Sequence, residues 1–219
     1  MQPLSDSSNP LITAFAAELA NDAEAVLAVM PGSRLQPHAS FSVVVEGQQV
    51  SIPERLYNDE PPTDAVASLS PRQRQLLHCL YSRHCDGVVR LNLPLDRGHL
   101  EKIVGSTDPW VVPFVVQLVG EYVLEILLVI CDELRDLATP GTCGHLAYGQ
   151  FIVDNAAFFA RTQRRVVSYW SCYYRGAYAS FRGYPGCTLL DLLRSAASDR
   201  AGHPWPNLAP ASTMGDGYC

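Results

Sequence analysis

The stretch PWVVPFVVQLVGEYVLEILLVICDE, Pro109 to Glu133, is the most apolar run of the chain, and two carboxylates, Glu121 and Glu125, sit inside it. Its reading decides the fold. Trp110 to Ile130 is long enough to cross a bilayer, which takes about 20 apolar residues. Gln117, Glu121 and Glu125 recur every fourth residue, however, so on a helix they fall on one polar stripe. A carboxylate at the centre of a bilayer costs several kcal/mol. The run is followed by Asp132 and Glu133 rather than by a basic cluster. The pattern therefore predicts a buried helix of a globular protein, with no membrane span.

A buried acidic stripe needs cations, and FIVDNAAFFARTQRRVVSYWSCYYR (Phe151–Arg175) offers them. Arg161 and Arg165 are four residues apart, matching Glu121 and Glu125 in spacing and opposing them in sign. Two long antiparallel helices, about 109–137 and 146–175, with these residues facing each other, are the expectation. Guanidinium forks suit such pairs because they bond carboxylates in bidentate fashion.

Outward from this pair the chain reads as mainly helical. Asn9–Met30 has apolar residues at helical spacing behind a potential Asn9 cap, with Pro10 at the first turn. Ser40–Tyr57 changes to a period of two around Glu46-Gly47, the mark of a β-hairpin. A proline-rich polar connector spans 58–71. Ser70 then opens a helix with Pro71 at its first position and Gln73 three residues on, a capping-box pattern. Asp86 and Asp108 each precede an apolar helix start, roughly 22 residues apart. The expected fold is a helical bundle or HEAT-like helical array with a small N-terminal β-hairpin. Its parts would be residues 1–70 (helix, hairpin and connector, packed on the main body), a helical main body at 71–200, and a loose tail at 201–219.

Composition narrows the function. The 219 residues are 47% hydrophobic and 17% charged, with a net charge of −6. This is a globular composition. The charge alternates in blocks: nine acids and two bases in 1–70, three and six in 71–102, seven and one in 103–160, two and seven in 161–200, and a single acid beyond. Blocks of opposite sign suit elements that dock on one another; they do not make the uniform positive field that nucleic acid attracts. Seven cysteines without a C-x-x-C pair, and no basic leader before Asp6, indicate reduced thiols in a soluble cytoplasmic protein. The arginine-for-lysine bias, fifteen to one, fits a GC-rich bacterial genome.

Several constellations bear on chemistry. Glu121 and Glu125 could act as an acid/base pair, but the Glu-x-x-His of di-metal bundles does not occur. HCLYSRHC (His78–Cys85) holds four ligand-type residues, yet on a helix His78 and Cys85 stand about 10 Å apart along the axis. Cys143 precedes a helix with His145 two residues on, the best lone nucleophile. No nucleophile elbow, P-loop or dinucleotide fingerprint occurs, and no metal or cofactor is implied. Arg72, Arg74, Arg83 and Arg90 give residues 70–105 a weak DNA-binding character.

Finally, Arg164–Tyr184 interleaves seven aromatics with arginines; it reads first as a helix end covering the core, with arginines lying on aromatic faces, and second as the composition that protein interfaces favour. The expectation is a non-enzymatic interaction or binding module, with a protein partner or a second copy of itself. Its candidate residues are Glu121, Glu125, Arg161, Arg165, Tyr169, Trp170 and Tyr173. The alternatives are an enzyme with its site at Glu121, Glu125, Arg161 and Arg165, and a DNA-binding regulator acting through 70–105.

Overall fold

The computed structural model describes residues 9–35, 37, 39–91 and 98–210. Part of the VVRLNLPLDRG segment, at 92–97, and the tail at 211–219 lie outside them.

The chain is mainly helical with one two-stranded antiparallel hairpin, as its periodicities imply. The first apolar segment is less regular than its spacing suggests. Two 3-10 turns, Ile12–Ala14 and Ala17–Leu19, precede α1 (Ala20–Val29). Extended Phe15 and Ala16 separate them. That kink lets the Phe15 ring stack on Phe114 at 5.7 Å and meet Trp110 edge-on at 6.2 Å. Tertiary aromatic packing here overrides local helix propensity.

β1 (Ser40–Val45) and β2 (Gln48–Pro53) pair with Val45 opposite Gln48. Glu46 and Gly47 both take positive φ, 48° and 81°, the backbone a two-residue primed turn requires. An isolated hairpin is marginal in water. This one is held by Asn155, whose amide bonds both the N–H of Val44 (2.7 Å) and its carbonyl (2.8 Å). Phe41 also stacks on Phe158 at 5.3 Å.

α2 (Thr63–Ser68) precedes α3 (Pro71–Tyr81), whose Ser70–Gln73 capping box is complete. Two short helices follow, α4 (Gly87–Leu91) and α5 (Glu101–Val104). The decisive stretch then differs from expectation. It is two helices, α6 (Val112–Val119) and α7 (Leu124–Glu133), broken between Gly120 and Val123. Every residue of α6 is buried, so it runs through the centre of the core. No helix among the described residues is long and apolar enough to cross a membrane.

The second expected long helix is likewise two: α8 (Cys143–Asp154) and α9 (Ala156–Tyr169), with Asn155 at the corner. α9 runs on into a π-helical turn, Trp170–Tyr174. α10 (Pro185–Ala201) lies closely on α8: a Cβ on Gly149 would stand 2.5 Å from the Ala196 carbonyl oxygen. Residues 202–210 do not form a loose tail. Ser198 Oγ accepts from the Trp205 N–H, and Gln163 bonds both Pro206 and Leu208. One continuous core reaches from Leu11 to Ala197, with hairpin and helices contributing to the same cluster.

Candidate functional site

The break in the decisive stretch is where charge gathers. A helix ending at Gly120 frees Glu121 from the α6 axis, and its side chain turns inward, with the residue only 1% exposed. Four guanidiniums approach it from four parts of the chain. Arg55, just after β2, forms a two-pronged fork, Nη1 to Oε1 at 3.1 Å and Nη2 to Oε2 at 3.2 Å. Arg83, past the end of α3, donates to Oε1 at 3.1 Å and to the Glu54 carbonyl at 2.8 Å. Arg90 of α4 lies 3.5 Å from Oε2, and Arg165 of α9 lies 3.9 Å from Oε1.

Backbone pairing aligns the first two. The Leu56 N–H donates to the Arg83 carbonyl and the Cys85 N–H to the Leu56 carbonyl, each at 2.8 Å. This short parallel bridge sets Arg55 and Arg83 side by side. A β-hairpin exit and a helix exit are thereby tied together over one carboxylate.

The electrostatics follow from burial and surplus. Burial alone would raise the Glu121 pKa, but the charges of Arg83, Arg55 and Arg90 and the Arg55 hydrogen bond override it, down to about 2. Arg83 feels the reverse: burial and the neighbouring Arg55 and Arg90 outweigh Glu121 and lower its pKa to about 10. Four positive charges thus meet one negative. The surplus is visible as buried donors: Arg83 Nε and Nη1 and Arg90 Nε and Nη1 have no hydrogen-bond partner among the described residues.

The cluster reaches the surface on one side. Arg83 and Arg90 are sealed, whereas the side chains of Arg55 and Arg165 are 33% and 24% exposed. Beside them lies a tyrosine apron. Tyr122, Tyr169 and Tyr173 contact one another at 6.0 to 6.3 Å between ring centres, and Arg165 lies over Tyr169 at 5.8 Å. Tyr122 is 50% and Tyr173 68% exposed. The Tyr174 hydroxyl donates to the Tyr122 carbonyl, binding the π-helical turn to the helix break.

The expected residues therefore divide. Glu121, Arg165, Tyr169 and Tyr173 come together. Glu125, in the first turn of α7, is exposed and makes no ion pair among the described residues. Arg161 lies over the Phe41 and Phe158 rings instead of facing a carboxylate. Trp170 is buried against Phe181 instead of joining the three tyrosines. The matched Glu–Arg ladder does not form, because the break between Gly120 and Val123 separates Glu121 from Glu125, and only Glu121 meets an arginine of α9, Arg165. Arg55, Arg83, Arg90 and Tyr122 belong to the site and were not singled out as its members by spacing. Arg83 and Arg90 are buried, and Arg72, exposed, faces Asp22 at 3.6 Å.

The other constellations are internally satisfied. His145 engages the Leu137 carbonyl through Nδ1 (2.9 Å) and Asp199 through Nε2 (3.0 Å), leaving no nitrogen for the exposed Cys143. His99 donates from Nε2 to Glu60 at 2.8 Å, so its Nδ1 accepts from His78 Nδ1, also at 2.8 Å. Two nitrogens ligating one tetrahedral zinc stand about 3.3 Å apart; these share a proton. Burial, with His99 and then Lys102 and Arg74 nearby, holds His78 neutral, its pKa down to about 3. No group of three or more metal-ligating side chains converges among the described residues, and the six described cysteines are free thiols.

No family model, no curated protein and no solved structure matches the chain.

Proposed function

We propose that the chain is a non-enzymatic binding module that takes an acidic segment of a protein partner on the face formed by Arg55, Arg165, Tyr122, Tyr169 and Tyr173. The observation that carries this reading is the sealed Glu121 beneath an exposed arginine–tyrosine surface. An acid/base catalyst must reach its substrate and titrate near working pH. Glu121 does neither: its side chain is inaccessible and it is held ionised far below neutrality. Its evident work is to hold guanidiniums in place. Arg55 is fixed by a fork at its far end, so it meets a partner with little rotamer entropy left to lose. Tyrosine and arginine are the residues that dominate interface energetics.

The charge surplus supports an anionic partner. Three positive charges at the cluster remain after Glu121 is counted, within a chain of net charge −6. Such a local reversal of sign steers an acidic segment to this face. A second copy of the chain, whose first 70 residues carry nine acids against two bases, supplies one such surface. Free thiols suit a reducing, cytoplasmic setting, and the arginine bias a bacterial one.

The test is fluorescence anisotropy with a labelled Glu-rich peptide and its Gln counterpart, alongside light scattering of the protein alone. The reading expects the Glu peptide to bind with strong salt dependence. It expects the Gln peptide to bind at least about tenfold more weakly, and Arg165→Gln with Tyr173→Ala to reduce affinity by a similar factor. Equal binding of both peptides, or an unaffected double variant, contradicts it.

A further inference from the structure

The other side of the π-helical turn carries a concave feature that shares no lining residue with the Glu121 face. It is an open groove of about 1000 Å³. Val167, Trp170 and Phe181 give it an apolar floor, and Ser171, Ser180 and Asn207 contribute neutral hydrogen-bonding groups. The floor is firm: Trp170 meets Phe181 edge-on at 5.4 Å, and its indole N–H donates to the Tyr178 carbonyl at 2.9 Å. The turn itself has the wider i→i+5 geometry that recurs at functional sites.

Three guanidiniums line the groove, Arg175, Arg182 and Arg194, against one carboxylate, Asp191. Arg194 is committed, donating to Asp191 and, at 3.2 Å, to Gln163 Oε1. The second Asp191 oxygen takes the Cys187 thiol at 3.8 Å. Arg175 and Arg182 make no ion pair among the described residues; Arg175 lies over the Trp170 ring at 5.0 Å, and both are exposed. Two unneutralised cations therefore border an apolar floor.

We propose that this groove is a binding site for a small organic phosphate, its apolar body on Val167, Trp170 and Phe181 and its phosphate held by Arg175 and Arg182. Three features select that class. Two free guanidiniums match the charge of a phosphate monoester, about −1.5 to −2 at neutral pH. Guanidinium forks fit phosphate oxygens in bidentate fashion. The groove lies at the upper end of the size range of small-molecule sites, roughly 300–1,000 Å³. Cys187 is not a nucleophile in this groove: burial first, then Asp191, pushes its thiol up to about 11, so it is not a thiolate at neutral pH. The proposal is independent of the partner-binding face.

Isothermal titration calorimetry with naphthyl phosphate, naphthol and inorganic phosphate tests it. Naphthyl phosphate is expected to bind with one-to-one stoichiometry, and each of the other two at least about tenfold more weakly, since each lacks one half of the recognition. The variant Arg175→Gln/Arg182→Gln should lose about tenfold or more for naphthyl phosphate while its thermal unfolding shifts by no more than a few degrees, since both side chains are exposed and only the Arg175 stacking on Trp170 is given up. Arg135→Gln, which removes a surface arginine paired with Asp132, should bind as the parent does. No binding of naphthyl phosphate, equally tight inorganic phosphate, equally tight naphthol, or a double variant with parental affinity overturns the assignment.

Discussion

Two regions on opposite sides of the π-helical turn share a composition and differ in what they do with it. At the helix break, four guanidiniums converge on buried Glu121; in the groove, three guanidiniums line an open space with Asp191, which is 60% exposed. Both carry more positive than negative charge. Burial makes the difference. Glu121 has no water to replace its partners, so the guanidiniums that hydrogen-bond it, those of Arg55 and Arg83, are its solvation. Asp191 has water on one side, so its arginine contributes little. The same residue pair is structural in one place and adaptable in the other.

The largest effect that would break this comparison is at Glu121. Glu121→Gln leaves four guanidiniums crowded around a neutral amide and should cost about 3–5 kcal/mol, read by urea unfolding. Asp191→Asn, its counterpart in the groove, should cost no more than about 1 kcal/mol. Equal losses would mean that burial is not what separates the two regions.

Arg90→Met comes next and sharpens the asymmetry within the buried cluster. Arg90 is 2% exposed and has two nitrogens without hydrogen-bond partners among the described residues. Removing one cation from a surplus relieves repulsion and desolvation together. Replacing it with an apolar chain of similar length should cost less than about 1.5 kcal/mol, or even stabilise. A loss matching that of Glu121→Gln would show that the four arginines are each indispensable and that there is no surplus.

The smallest expected effect is at Glu125. It stands four residues from Glu121 and carries the same side chain, but it lies in the first turn of α7, exposed. Glu125→Gln should change stability by no more than about 0.5 kcal/mol.

The contrast between these two glutamates also shows how far the sequence could be read. The hairpin and α3 were legible because their signals are local: Glu46-Gly47 between alternating strands, and Ser70, Pro71 and Gln73 at the N-cap, first and third helical positions. The break at Gly120 was masked by unbroken hydropathy on both sides; the one signal was a glycine inside a helical pattern. Once α6 and α7 separate, the every-fourth-residue stripe no longer exists, and Glu125 leaves Glu121's face. The arginine cluster was not legible because its members, at positions 55, 83, 90 and 165, share no helix and no spacing. The convergence of Arg55 and Arg83 depends on the Leu56–His84 backbone bridge, which no residue type announces. The aromatic run around Tyr169 and Tyr173 was legible as a cluster, read first as a cover on the core and second as an interface. Its partner Tyr122 was not, because it follows the same unseen break.

The most direct test of the central claim, that Glu121 is the buried counter-ion on which four guanidiniums meet, is an NMR titration of its side-chain carboxyl carbon in the folded protein. Its pKa is lowered in the folded state, so the stability it confers is fully present above the unfolded value of about 4.3 and is lost as pH falls through the folded value. The account predicts a midpoint near 2, with folding stability falling by about 3 kcal/mol as pH drops from about 4.5 towards 2. A midpoint at or above 4.5 would contradict it, because burial would then outweigh the arginines and Glu121 could not be their counter-ion.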